Sequence, residues 1–299
     1  MAFFIEICYN IIINFSGGFI MKTIISASRR TDIPAFYYDW LQKALHDEFV
    51  VVANPRYPEI TYNVSLNPQE VHSIVLWSKD FGNVVANLGE LEKYNLYFQW
   101  TITGYNQKVE PLVPRYEVSI ENLAILAEKF PSKAFNIRFD PIFLSRDAED
   151  NSSIHPLESR KKALSRLCED MKKIGLEDAR ITVSYLSIYG NTLNRMKSVG
   201  IDVAILNEKQ EHRVMRELAE VATSYGYNLY TCANDRFKDI PNILKGHCID
   251  ADILQELYGK CSHAKDQAQR LECGCAKSRD IGGYLPCKHG CRYCYANGI

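Results

Sequence analysis

Three cysteines close to the C-terminus, Cys287, Cys291 and Cys294, form a C-x3-C-x2-C run. A compact loop with those gaps can put three thiolates on three corners of a four-iron, four-sulfur cube. The fourth iron then has no protein ligand from that segment. Thiolate is the soft donor that iron–sulfur clusters select. Just upstream stand Cys273 and Cys275 as C-x-C. Three roles are open to that pair: completing the cluster's coordination, binding a second metal, or steadying the tail through another site. Zinc is the alternative metal, although its common pattern is two well-separated C-x2-C pairs. His289, inside the run, reads better as a histidine beside the ligands than as a ligand. Cys232 reads as a small buried hydrophobe ahead of a metal ligand or thiol donor. Cys8, Cys168, Cys248 and Cys261 have no paired spacing, and no chemistry is assigned to them.

The elements that must position these groups alternate along the chain. Strand-like runs occupy 22–28, 49–55, 73–78, 96–103, 134–139, 180–186 and 227–233, and 59–66 reads as an added strand or hairpin arm. Amphipathic helical stretches lie at 34–49, 84–94, 119–130, 156–174, 192–199 and 208–225. Strands separated by helices without hairpin turns predict parallel pairing in βαβ units. Six or seven such units predict an α/β fold, a closed or partial (β/α) barrel of the TIM type, with a cysteine-rich C-terminal metal-binding tail. An open doubly wound sheet ranks second, since no GxGxxG follows any strand. The expected division is a leader or flexible arm over 1–20, a barrel over 21–260 and a cluster-binding tail over 261–299.

In a parallel barrel, chemistry sits on the loops that follow the strands. Those loops carry Arg29, Arg30 and Asp32 after the first strand, Asn54 after the second, and Lys79 and Asp80 after the third. Arg138 and Asp140 flank the fifth, and Cys232, Asn234 and Asp235 close the last. Arg29, Arg30, Asp32, Lys79, Arg138 and Asp140 are the candidate catalytic residues. Convergence of both charge signs is what an active-site rim requires, although loop ends are polar in any barrel.

The whole chain has 299 residues, 46% of them apolar and 24% charged, with 35 basic and 36 acidic side chains. Those values exclude a disordered, collagenous or coiled-coil chain. A net charge of -1 gives no global attraction to nucleic acid or acidic membrane. Only Arg279, Lys288 and Arg292 enrich positive charge near the cysteines. Ten cysteines, five of them clustered near the C-terminus of a long chain, point to a reducing, cytoplasmic compartment and a metal rather than to a disulfide scaffold. Residues 1–20 are apolar, but Lys22 follows the apolar run and Glu6, Asn10 and Asn14 interrupt it, so neither a signal peptide nor a membrane span is expected. Met21 reads as the true start; a hydrophobic arm or anchor is the other reading.

The stretch CKHGCRYCY resembles the radical S-adenosylmethionine (SAM) signature C-x3-C-x-aromatic-C, with Tyr293 as the aromatic. GCRYCYA is similar to the motif of spore-photoproduct-lyase-like members of that superfamily. After Met21 the chain also resembles a bacterial domain-of-unknown-function family, at Ser26–Tyr37 (SASRRTDIPAFY) and at Cys273–Ala296. The superfamily resemblance implies a 4Fe-4S cluster on Cys287, Cys291 and Cys294, SAM on its open iron, Tyr293 near the adenine, and an external electron donor. It implies a redox enzyme that generates a 5′-deoxyadenosyl radical and takes hydrogen from a substrate the sequence does not disclose. The radical SAM motif normally follows the first barrel strand, whereas here it occupies the last residues. No GGE-like motif follows a strand; Gly282 and Gly283 precede the cysteines instead. A non-catalytic or nucleic-acid-associated protein with a structural iron–sulfur or zinc site is the alternative. A barrel hydrolase using Asp32, Asp80 or Asp140 has no supporting motif.

Overall fold

A computed structural model of the chain describes residues 21–146, 154–155 and 157–294. The proposed leader over 1–20, most of the polar run 145–153 and the last five residues of the cysteine tail lie outside the described residues.

The strands are β1 (Thr23–Ala27), β2 (Phe49–Ala53), β3 (Thr61–Ser65), β4 (Val71–Ser78), β5 (Leu96–Thr101), β6 (Phe135–Arg138), β7 (Ser145–Arg146), β8 (Ile154–His155), β9 (Arg180–Val183), β10 (Asp202–Val203), β11 (Leu229–Cys232), β12 (Ile243–Gly246) and β13 (Arg279–Asp280). The helices are α1 (Ile33–Phe36), α2 (Tyr38–His46), α3 (Gly82–Ala86), α4 (Tyr116–Ala127), α5 (Leu157–Lys173), α6 (Gly190–Ser198), α7 (Glu208–Ser224) and α8 (Ala251–Tyr258).

Eight strands form one sheet in the order β12-β11-β9-β6-β5-β4-β1-β13, and every neighbouring pair in it is parallel. From β1 to β12 each new strand is laid beside its predecessor in this sheet, without the reversal of a doubly wound fold. Among the described residues no pairing joins β12 to β13, so the fold is a large parallel sheet with two edges. The segment 49–55 does not belong to it: β2 pairs antiparallel with β3 in a separate hairpin. Its alternation of exposed and buried residues marks a strand with one wet face, unlike the nearly continuous burial of β4. Asn54 therefore follows a hairpin strand rather than a strand of the main sheet; its Oδ1 accepts from the N–H groups of Arg56 and Tyr57 in the hairpin turn, and it borders one cavity with Arg29 and Arg30.

The two faces of the sheet differ. Ile25, Ile74, Leu76, Phe98, Trp100, Phe135 and Ile137 share one large apolar core with Leu41, Leu123, Leu164, Leu167 and Leu218 of the helices. The alternate residues Ile24, Val75 and Tyr97 meet a second cluster containing Ile253 and Leu254 of α8 with Cys248, Cys261, Cys273 and Cys275. Gln99, Asn136 and Thr182 are buried and polar. They form a chain in which Thr182 Oγ1 donates to Asn136 Oδ1 at 2.7 Å and Asn136 Nδ2 to Gln99 Oε1 at 3.2 Å. Gln99 Nε2 then donates to the Cys248 carbonyl at 2.5 Å. Each buried polar group thus finds a partner, as burial demands, and the ladder fixes the backbone beside one of the cysteines.

Candidate functional site

The two motif-bearing ends of the chain are interlocked. Strand β13 lies parallel to β1, with Ser26 opposite Asp280. The Asp280 carboxylate accepts from Ser26 Oγ at 3.0 Å, Ser28 Oγ at 2.6 Å, and the N–H groups of Arg29 at 2.9 Å and Gly282 at 3.0 Å. Gly282 is required there, because a Cβ would sit 2.2 Å from Ser28 Oγ. Arg30 Nη1 donates to the Gly282 carbonyl at 2.8 Å, its guanidinium lies over Tyr284, and Tyr37 donates to the Pro286 carbonyl at 2.8 Å.

Asp32, in the loop after β1, is saturated. Its carboxylate caps α1 through Ala35 N–H, accepts from Ser78 Oγ and Lys79 N–H, and pairs with His289 Nε2 at 2.8 Å. His289 is buried against Phe36, and its Nδ1 faces the Leu112 carbonyl. Both ring nitrogens are thus committed to oxygen atoms, and neither is offered to a metal.

Lys79 Nζ pairs with Glu110 Oε1 at 2.8 Å, inside a buried group where Thr103 Oγ1 and the Tyr293 hydroxyl also donate to Glu110. Burial alone would neutralise both charges. For Lys79 burial is the largest single influence, but Glu110, Cys291 and Asp140 together outweigh it and hold the ammonium above its ordinary pKa. For Glu110 burial is again the largest, and Lys79, Tyr293 and Thr103 together outweigh it and hold the carboxyl below its ordinary value. Tyr293 packs with Tyr105 and Phe143, so its side chain anchors the tail.

Cys287, Cys291 and Cys294 converge beside these groups. Burial raises the Cys287 thiol, while the N–H groups of His289 and Asp32 donate to its sulfur. Burial pushes Cys291 up to about 12, against the pull of Lys79, and the other two thiols raise it further. Arg195 donates to the carbonyls of Arg292 and Cys294. The loop therefore lies against the segment that follows β1, although it is the last part of the chain.

A second set of thiols lies elsewhere at the strand ends. The sulfurs of Cys232, Cys273 and Cys275 are all within 4.8 Å of one another, the only such His/Cys/Asp/Glu group among the described residues, and could hold a metal ion. Cys232 ends β11, while Cys273 and Cys275 come from the segment after α8. Hydrogen bonds with the Cys232 and Cys248 thiols, the Ile249 N–H and the charge of Arg29 hold Cys275 well below the usual thiol range. Arg138 donates to Cys248 Sγ at 3.1 Å and pairs with Asp140 at 2.6 Å. Arg29 and Arg138 lie over Trp77 at 5.5 and 5.6 Å from its ring centroid. A cavity of about 1070 Å³ is bounded by Arg29, Trp77, Arg138, Ser184 and the four cysteines 232, 248, 273 and 275.

The strand ends thus place Asp32 and Lys79 beside the Cys287–Cys294 loop, Arg29, Arg138 and Asp140 beside the second thiol set, and Arg30 on the Gly282–Tyr284 segment. Glu110, an acidic loop residue, Asp280, in the two-residue strand β13, and Cys248, a lone thiol in the chain, carry no spacing signal and escape a reading of the sequence.

Fold and site together define an α/β protein with a large parallel sheet and a cysteine group able to bind a metal at its strand ends. Residues 24–296 match the family DUF1848, a domain of unknown function, and the chain belongs to that family. No curated protein matches the sequence. No described helix is long and apolar enough to cross a membrane.

Proposed function

We propose that this protein is an iron–sulfur enzyme of the radical SAM type, with Cys287, Cys291 and Cys294 holding a 4Fe-4S cluster. The observation that carries the reading is the 2.8 Å pairing of His289, inside the cysteine run, with Asp32. It sets the C-terminal motif against the loop after the first strand, where the superfamily's motif normally lies. Three further observations fit such a cluster. The three sulfurs are not among those within one-ion spacing, and a four-iron cluster binds each thiolate to a different iron. Backbone N–H groups point at Cys287, and the Lys79 ammonium beside Cys291 offsets thiolate charge. With neither ring nitrogen of His289 free, no histidine of the motif competes for the fourth iron.

Such a cluster with SAM on its open iron supplies one-electron cleavage of SAM to methionine and a 5′-deoxyadenosyl radical that takes hydrogen from a substrate. The chain's own part is positional. Asp32, His289 and Leu112 hold the cysteine loop; Lys79, Glu110 and Tyr293 fix its far end; Arg30 and Asp280 seat the segment leading into it. The cavity beside Trp77 and Arg138 is large enough for a small-molecule substrate. An external one-electron donor is required.

The test is anaerobic reconstitution with iron and sulfide, followed by reduction with SAM present. Formation of 5′-deoxyadenosine, lost in Cys287→Ala, Cys291→Ala and Cys294→Ala, supports the reading. A fully loaded cluster that cleaves no SAM leaves a structural iron–sulfur site and refutes it.

A further inference from the structure

We propose that Cys232, Cys248, Cys273 and Cys275 form a closed four-cysteine site for a single thiophilic divalent ion of the zinc type. Its role is a structural clasp that ties the C-terminal segment to the sheet. This site is separate from the Cys287–Cys294 loop and does not rest on the SAM reading.

The spacing decides between one ion and a cluster. Zinc binds thiolate sulfur at about 2.3 Å, so tetrahedral ligands lie about 3.8 Å apart. Cys232, Cys273 and Cys275 already lie within 4.8 Å of one another, which a small inward movement closes onto one ion. Cys248 is the fourth ligand of this site: it is buried in one cluster with Cys273 and Cys275, and its thiol borders the same cavity as the other three. Four thiolates around a divalent ion carry two surplus negative charges. Arg138 donates to Cys248 Sγ at 3.1 Å. Arg29 reaches the field of Cys275, and its Nη2 is buried with no hydrogen-bond partner. The Ile249 N–H donates to Cys275. These are the outer partners a thiolate site needs.

The backbone is shaped for it. Gly274, between two of the ligands, lies against the ring of His247, and a Cβ there would be 2.1 Å from His247 Cε1. The C-G-C turn can therefore lie against the His247 ring without displacing it because Gly274 has no side chain. The four ligands come from the end of β11, the segment after β12, and the chain after α8. One ion would thus fix the start of the segment that continues through β13 to Cys287. With four protein ligands, no coordination position is left open, which marks a structural rather than a catalytic ion.

The test uses the full chain and a Cys287→Ala/Cys291→Ala/Cys294→Ala variant, each purified and analysed for bound metal, with X-ray absorption at the zinc edge. The expected result is one zinc per chain in both, with four sulfur neighbours at about 2.3 Å. Because the edge is element-specific, the wild-type chain answers even if the triple variant does not fold. Cobalt replacement follows: wild type gives the visible spectrum of a four-thiolate tetrahedral ion. Cys248→Ser shifts that spectrum and binds Co²⁺ more weakly by about 100-fold or more, since losing even a partner outside the ligand set costs about 10- to 100-fold. Four additional irons at this site, absence of zinc from both proteins after zinc challenge, or an unchanged cobalt spectrum in Cys248→Ser would overturn the proposal. Failure of the wild type to cleave SAM would leave it untouched.

Discussion

Replacing Glu110 with Gln isolates the electrostatic part of the contact that holds the cysteine loop. Gln keeps one oxygen to accept from Tyr293 and turns its NH2 group to Thr103 Oγ1, which can accept, but it leaves the Lys79 ammonium, 12% exposed, without the charge it pairs with at 2.8 Å. Breaking a buried ion pair by removing one charge costs about 3–5 kcal/mol. At about 2.1 cal/mol/K of unfolding entropy per residue, each kcal/mol moves the thermal midpoint of a chain this long by about 1.5–2 °C, so Glu110→Gln lowers it by about 5–10 °C. The pair also sets a pH window. Glu110 is held below its ordinary value of 4.5, so its contribution is complete above that pH and lost as pH falls through the lowered value. Lys79 is held above its ordinary 10.5, so its contribution is complete below that pH and lost as pH rises through the raised value. Thermal melts from pH 3 to 11 should show a shallower fall on both flanks in the variant than in wild type. Adding Lys79→Met to Glu110→Gln removes the unpaired charge and should restore at least half of the loss, a coupling that a double-mutant cycle measures. A Glu110→Gln midpoint within 1 °C of wild type, with an unchanged pH profile, would refute the reasoning.

Other perturbations test other joints of the site. Gly274→Ala drives a methyl group into His247, so it should lower zinc content, and His247→Gly in the same chain should restore it; normal zinc in Gly274→Ala would disprove the close approach. His289→Phe keeps the contact with Phe36 but removes the pairing with Asp32, leaving that carboxylate short of a partner at a cost of about 1–3 kcal/mol. Its loop should be cut faster by protease and should hold less iron after reconstitution; wild-type iron content would count against the docking role. Asp280→Ala removes four hydrogen bonds that join the two ends of the chain. It should destabilise by more than Asp47→Ala, an exposed control on a single i,i+4 pair, with urea unfolding as the measurement.

Much of the sheet was legible because its strands are continuous apolar runs. Val71–Ser78 and Leu96–Thr101 are buried almost throughout, and the spacing of the helices between them forces parallel pairing. The hairpin of β2 and β3 was mistaken in part for the main sheet, since FVVVA is as β-branched as any core strand; only its alternating burial sets it apart. Strands β12 and β13 and helix α8 escaped notice. Arg279–Asp280 is two charged residues, and it pairs with β1 where the Asp280 carboxylate gathers donors from that strand's end. The C-x3-C-x2-C run was legible from spacing alone. The second thiol group was legible only in part: Cys273 and Cys275 stand as a C-x-C pair, whereas Cys232 and Cys248 are scattered along the chain and only the return of the C-terminal segment to the sheet unites them with the pair. The apparent misplacement of the cysteine motif has the same resolution: it is late in sequence and next to the first strand's loop in space.

The central claim is an iron in the Cys287–Cys294 loop that is left free to take SAM. Electron paramagnetic resonance of the reduced, reconstituted protein tests it directly. The account predicts a 4Fe-4S signal that changes on addition of SAM and disappears in Cys291→Ala, while zinc bound elsewhere stays in place. A cluster signal identical with and without SAM, or a loop that takes up zinc and no iron, would contradict it.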